Sequence, residues 1–196
     1  IQMKVLTKFA NKIECEVLTP GKLGSRRHIN LPGVKVSLPA LTGKDLADVD
    51  LGQELGVDFI ALSFVREAKD IQQLRAVVEN SPRRPRIIAK IEDQQAVKNL
   101  QEIIAEADAV MVARGDLGIE CPYEELPIIQ RKVVKTCLRV GKPVIVVGQH
   151  EGKWIGSGRS TSRYNITDAL RETGEGILTR VGGHAPGQPD GGRRGG

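Results

Sequence analysis

The 196 residues are 40% apolar and 27% charged, which suits one ordinary globular domain and excludes a fibrous or wholly disordered chain. The net charge of +5 is spread along the length, +3 over residues 1–150 and +2 beyond, and the six aromatic residues are scattered, so no nucleic-acid partner is expected. No apolar run approaches the roughly 18 residues of a membrane span and the first ten residues lack a signal peptide's apolar core, so no membrane partner and a cytoplasmic location are expected.

Residues 1–27 alternate apolar and polar side chains, with Met3 and Val5, then Ile13, Cys15 and Val17. That pattern predicts two or three short strands joined by polar turns near Asn11 and Gly21. From Leu31 onward, short apolar runs at Phe59–Leu62, Ile87–Ile91, Ala109–Ala113 and Val144–Val147 are separated by amphipathic stretches, the signature of a parallel βα series. Thr42, three residues before Asp45, resembles a capping box that opens the first helix. Ile71, Leu74 and Val78 stripe a second helix. Ala96, Val97, Leu100, Ile103, Ile104 and Ala107 stripe a third after Asp93. After Pro122, Leu126, Ile129, Val133, Cys137 and Val140 mark a fourth, stopped by Gly141 and Pro143. Four buried strands flanked by helices suit either an open doubly wound sheet or part of a (β/α) barrel. Residues 151–196 hold 12 of the 22 glycines and show no sustained period, which predicts a poorly ordered tail. Cys15, Cys121 and Cys137 are odd in number and far apart, and read as packed thiols.

Two strand ends carry the chemistry. Lys90 and Glu92 stand two apart at the end of their apolar run, so both point to one side at the carboxyl end, where α/β folds place their sites. The next run ends in Ala113-Arg114-Gly115-Asp116-Leu117-Gly118, which puts a second carboxylate at the same rim in a glycine-bearing turn. Mg²⁺ takes one or two protein carboxylates and fills its other positions with water and substrate oxygens, and a lysine beside it neutralises a transferring phosphoryl group. Glu92, Asp116 and Lys90 suit those roles. A solvent-facing ion pair at Lys90 and Glu92, and a tight turn with a helix cap at 115–118, are the structural alternatives. The stretch Gly148 to Trp154 is not a phosphate loop, because its glycine spacing is short and Trp154 replaces the metal-binding hydroxyl residue.

Taken in order, Asn30-Leu31-Pro32-Gly33, Leu38-Pro39-Ala40-Leu41 with Lys44-Asp45, Asp58 to Phe64, Ile88-Ala89-Lys90-Ile91-Glu92, Met111 to Glu120 and Gly141-Lys142-Pro143-Val144-Ile145 resemble pyruvate kinase. The resemblance implies a partial (β/α)8 TIM barrel over residues 29–147, the C-terminal part of a small β lid domain over 1–28, and a divergent tail over 148–196. It also implies phosphoryl transfer from phosphoenolpyruvate to ADP, giving pyruvate and ATP, with Mg²⁺ (or Mn²⁺) and K⁺, by a family that is usually a homotetramer. By match of motif, Lys90 would stabilise the transferring group and the enolate, and Glu92 and Asp116 would hold the divalent ion. The N–H groups of Gly115 and Asp116 would bind the substrate carboxylate, Arg27 would reach the nucleotide, and Ser63 would lie near the monovalent ion.

The departures are equally specific. The early barrel strands with their nucleotide and K⁺ ligands, and the family's C-terminal domain, have no counterpart in these residues. Gly148 stands where a threonine is expected on the substrate carboxylate. Resemblance fades there and returns at Thr161, Arg163, Ile166, Thr167 and Asp168, the last three one residue out of step, as a displaced reading frame would leave it. Two alternatives therefore stand beside the enzyme: a non-catalytic fragment that retains only Mg²⁺- and phosphate-binding residues, and a metal-dependent pyruvate-type aldolase, which also uses a Glu and an Asp at neighbouring strand ends.

Overall fold

The computed structural model describes residues 1–25, 29–34, 39–150 and 153–159, with the backbone alone for 148–150, 153–156 and 158–159. The chain divides into two compact units, Ile1–Asn30 and Leu31–Gly196.

In the first unit, β1 (Met3–Lys8) pairs antiparallel with β2 (Ile13–Val17), with a register shift between Val5 and Thr7. The Phe9 N–H donates to the Lys12 carbonyl at 2.9 Å and closes the polar turn at Asn11. Two strands form among the described residues of this unit, where two or three were expected. Every β1 side chain is exposed.

The second unit alternates helix and strand: α1 (Gly43–Leu55), β3 (Phe59–Leu62), α2 (Ala68–Val78), β4 (Arg86–Ile91), α3 (Gln94–Lys98), α4 (Leu100–Glu106), β5 (Ala109–Ala113), α5 (Arg114–Glu120), α6 (Leu126–Arg139), β6 (Val144–His150) and β7 (Lys153–Arg159). The strands lie in one sheet in the order β3-β4-β5-β6-β7. The first four are parallel and each pairs with its successor. A doubly wound sheet reverses strand order at its ligand crevice, whereas an uninterrupted succession is the arrangement of a (β/α) barrel segment.

Local chemistry explains the helices. Thr42 and Asp45 form the expected capping box at α1: the Asp45 N–H donates to Thr42 Oγ1, and the Thr42 N–H donates to Asp45 Oδ2 at 2.8 Å. Gly141 takes φ +73 after α6, where Lys142 N–H returns to the Cys137 carbonyl, the left-handed stop that glycine adopts without steric cost. The single helix predicted after Asp93 is instead two, α3 and α4, because Asn99 leaves helical geometry (φ −92, ψ 17) and its amide donates to the Arg66 carbonyl at 2.8 Å. Val140, expected on the buried stripe of α6, is exposed, since the helix ends at Arg139.

The two sheet faces differ. Ile87, Ala89, Ile91, Val110, Val112 and Val144 point to one side and pack with Ile71, Leu74, Ile103, Ile104, Val133 and Cys137 from the helices, all of them almost completely buried. Asp108 ties this layer together at the amino end of the strands. Its Oδ2 accepts from the Ile87 N–H at 2.8 Å and from Arg75 Nη2 at 3.1 Å. The opposite face carries Ala61, Ile88, Lys90 and Met111, exposed or half-buried.

The expected poorly ordered tail is corrected over its first part. β6 runs on to His150, and β7 pairs antiparallel with it, from Val144↔Arg159 to His150↔Lys153. Gly152 to Gly158 has too many glycines to show an apolar period, but a strand paired along its whole length needs backbone groups more than side chains. The remaining expectation, over 160–196, lies outside the described residues.

Two measurements test the core. Ile103→Ala removes a fully buried side chain and is expected to cost about 2–4 kcal/mol in urea denaturation; a loss under about 0.5 kcal/mol would contradict this packing. Cys137 is buried and its thiol is pushed up to about 11 by that burial, so at pH 8 it stays protonated, whereas Cys15 is half-buried. Alkylation of the native chain at pH 8 is expected to label Cys15 first and Cys137 only after unfolding. Equal rates would contradict the assignment.

Candidate functional site at the carboxyl ends of the strands

Glu92 follows β4 directly and is 2% exposed, one of two buried polar or charged residues among those described. A buried carboxylate is costly unless paired and hydrogen-bonded. Both of its oxygens are engaged. Oε1 lies 2.6 Å from Lys90 Nζ, and Oε2 accepts from the Phe64 N–H at 2.8 Å. Lys90 Nζ also donates to Ser63 Oγ at 2.8 Å. The solvent-facing alternative for this pair is therefore set aside: the side chains of Lys90 and Glu92 are 22% and 3% exposed.

The sheet explains this convergence. Lys90 pairs with Met111 of β5, and Leu62 pairs with Ala89, which brings Ser63 alongside Lys90 at the end of β3. Phe64 then takes φ +55, a left-handed conformation costing about 1–2 kcal/mol for a non-glycine residue, and its N–H meets Glu92. Residue types gave no sign of this donor, because it belongs to the backbone.

The neighbouring strand delivers the second carboxylate. β5 ends at Ala113, and α5 begins at once, placing Gly115 and Asp116 in its first turn, exposed and without a side-chain cap from Ala113. The expected glycine turn is thus a helix start, whose leading N–H groups have no intrahelical acceptor. A Cβ on Gly115 would meet nothing within 4 Å. Gly118 is different: a Cβ there would come within 3.2 Å of Leu126, and Leu117 is fully buried, so the second half of the motif packs α5 against α6.

Further acidic groups line this rim that sequence reasoning did not single out. Asp93 caps α3 through the Ala96 N–H at 2.7 Å and lies 3.5 Å from Arg66 Nε. Glu120 has its carboxyl raised above the usual range, first by burial and then by Asp93, and its carbonyl accepts from Gln94 Nε2. Arg27 lies outside the described residues. Ser63, Lys90 and Glu92 form one hydrogen-bonded group, and Asp116 stands at the same end of the adjacent strand.

The donor set fits a hard divalent cation. Glu92 and Asp116 offer carboxylate oxygens from successive strand ends, and the Lys90 ammonium already shows that Glu92 Oε1 accepts a cation in this buried setting. Among the described residues no cluster of three or more His, Cys, Asp or Glu side chains is arranged to hold a metal, so water or substrate oxygens would complete the shell.

Parallel strands in unbroken succession, with a lysine and two carboxylates at neighbouring carboxyl ends, are the arrangement of a (β/α) barrel segment, a fold that places its sites at that end. The family model described as "Pyruvate kinase, barrel domain" matches residues 1–171, past residue 147, where the motif-by-motif resemblance fades. Proteins named pyruvate kinase are 38% identical over 184 residues in Staphylococcus epidermidis, 40% over 185 in Staphylococcus saprophyticus and 36% over 184 in Staphylococcus aureus. Each alignment covers 89% of this chain and 32% of the relative, so the chain spans about a third of the length of these relatives. The chain belongs to the pyruvate kinase family, and the aldolase reading is set aside. Among the described residues, no helix is long and apolar enough to cross a membrane.

Lys90→Met leaves the buried Glu92 carboxylate with only the Phe64 N–H, and is expected to cost about 1–3 kcal/mol of stability in the absence of divalent ions. Urea denaturation with chelator present checks this; an unchanged midpoint would mean the pair does not form.

Proposed function

We propose that this chain carries the phosphoryl- and metal-handling rim of an enzyme that transfers phosphate from phosphoenolpyruvate to ADP in the cytoplasm. The observation that supports it is the buried Glu92, paired with Lys90 on one strand end beside the Gly115-Asp116 helix start of the next. Membership in the pyruvate kinase family supplies the reaction class. Homotetrameric assembly belongs to the same proposal.

In this reading Glu92 and Asp116 would hold Mg²⁺ or Mn²⁺, which when bound supplies positive charge to the phosphate, the enolate oxygen and the carboxylate of the substrate. Lys90 is a fixed ammonium where negative charge develops as the phosphoryl group departs, so its attraction grows toward the transition state. Ser63 orients Lys90 by accepting one of its three N–H bonds, and would line the floor near K⁺. The leading N–H groups of α5 at Gly115 and Asp116 would receive the substrate carboxylate, and the open space above Gly115 admits it. Arg27 would reach the nucleotide.

The chain spans about a third of the relatives' length, which favours binding without turnover for the 196 residues alone. Titration calorimetry is expected to show Mn²⁺ binding that weakens at least about tenfold in Glu92→Gln and in Asp116→Asn. Phosphoenolpyruvate binding in the presence of Mn²⁺ is expected to weaken in Lys90→Met. Transfer to ADP, followed by a pyruvate-coupled assay, is expected at or below background. Mn²⁺ binding indifferent to both carboxylates would overturn the site; robust Lys90-dependent turnover would overturn the non-catalytic part.

A further inference from the structure

We propose that Phe64 is a positioning residue whose left-handed backbone aims its N–H at Glu92 Oε2, so that Oε1, which faces the Lys90 ammonium, is the oxygen that a divalent cation would share. The proposal rests on the reading of Glu92 as a metal ligand and adds the device that orients it.

Three observations carry it. Phe64 has φ +55, a region that bulky residues avoid unless their surroundings impose it. Its N–H lies 2.8 Å from Oε2, while Oε1 faces the Lys90 ammonium, so the carboxylate's two edges are already assigned to different partners. Phe64 is 42% exposed and lies outside the closed core that holds its neighbours Leu62 and Val65. A carboxylate with one oxygen fixed cannot rotate both oxygens onto one ion, which favours single-oxygen coordination, the mode that suits a small octahedral cation.

A purely structural cause competes with this. Leu62 and Val65 are both buried, and a left-handed residue between them restores Val65 to the core where strict alternation would turn it out. Both causes keep the Phe64 N–H on Glu92, and they differ in what they predict for metal affinity.

The test uses the full 196-residue chain, with Mn²⁺ affinity read by electron paramagnetic resonance and the residue 64 amide by ¹H–¹⁵N NMR. Phe64→Gly keeps the N–H and tolerates positive φ, so it is expected to bind Mn²⁺ at least as tightly as the parent. Phe64→Val keeps the N–H but resists that conformation, and is expected to weaken binding about tenfold with an unchanged circular dichroism spectrum. In the parent, the Phe64 amide proton is expected downfield and slow to exchange, moving upfield in Glu92→Gln.

Equal Mn²⁺ affinity in Phe64→Val and the parent would overturn the proposal, as would an amide indifferent to Glu92→Gln. The NMR arm needs no variant at residue 64, so it can overturn the proposal even where Phe64→Val does not fold. An amide that responds to Glu92→Gln in a parent chain that binds no Mn²⁺ would overturn the reading of Glu92 as a ligand, and the proposal with it.

Discussion

A carboxylate held out of water must be held by something, and the end of this sheet is organised around that requirement. Glu92 is 2% exposed, with an ammonium on one oxygen and a backbone N–H on the other. Each partner comes from a different direction: Lys90 from the same strand two residues back, Phe64 from the end of the neighbouring strand. Shifting β3 against β4 by one residue would turn Ser63 away from Lys90 and remove Phe64 from reach. The site therefore depends on parallel register, and register depends on the apolar layer beneath it.

That layer explains why the chemistry sits where it does. Asp108 and Arg75 join α2, β4 and β5 at the amino end of the strands, while Ile87, Ala89 and Ile91 fix β4 against the helices. Alternation then delivers Ile88 and Lys90 to the opposite, less covered face. The closed apolar layer lies on one face along the whole length of the strands, while Lys90 projects from the other face at their carboxyl ends, where βα folds place their sites.

Much of this was legible in the sequence because it rests on periodicity and spacing. The four apolar runs became the four parallel strands, the Thr42 and Asp45 pair became a capping box, and the two-residue spacing of Lys90 and Glu92 put both on one side. Other features were hidden for physical reasons. Asn99 interrupts a helix through a bond to Arg66, 33 residues away, which no local pattern encodes. Gly118 resembled ligand-binding glycine but is small because Leu126 lies against it. The Phe64 donor belongs to the backbone, and every residue except proline has one. β7 pairs through its main chain in a glycine-rich stretch that shows no hydropathy period.

The central claim is that one divalent ion is shared between the ends of β4 and β5. Paramagnetic broadening tests it most directly: Mn²⁺ is added at substoichiometric amounts to the ¹⁵N-labelled chain, and amide intensities are followed along the sequence. Intensity is expected to vanish first at Lys90 to Glu92 and at Gly115 to Asp116, while amides at Arg75, Arg86 and Asp108 stay sharp. Broadening centred at the amino ends of the strands, or spread evenly over the acidic surface, would contradict the account.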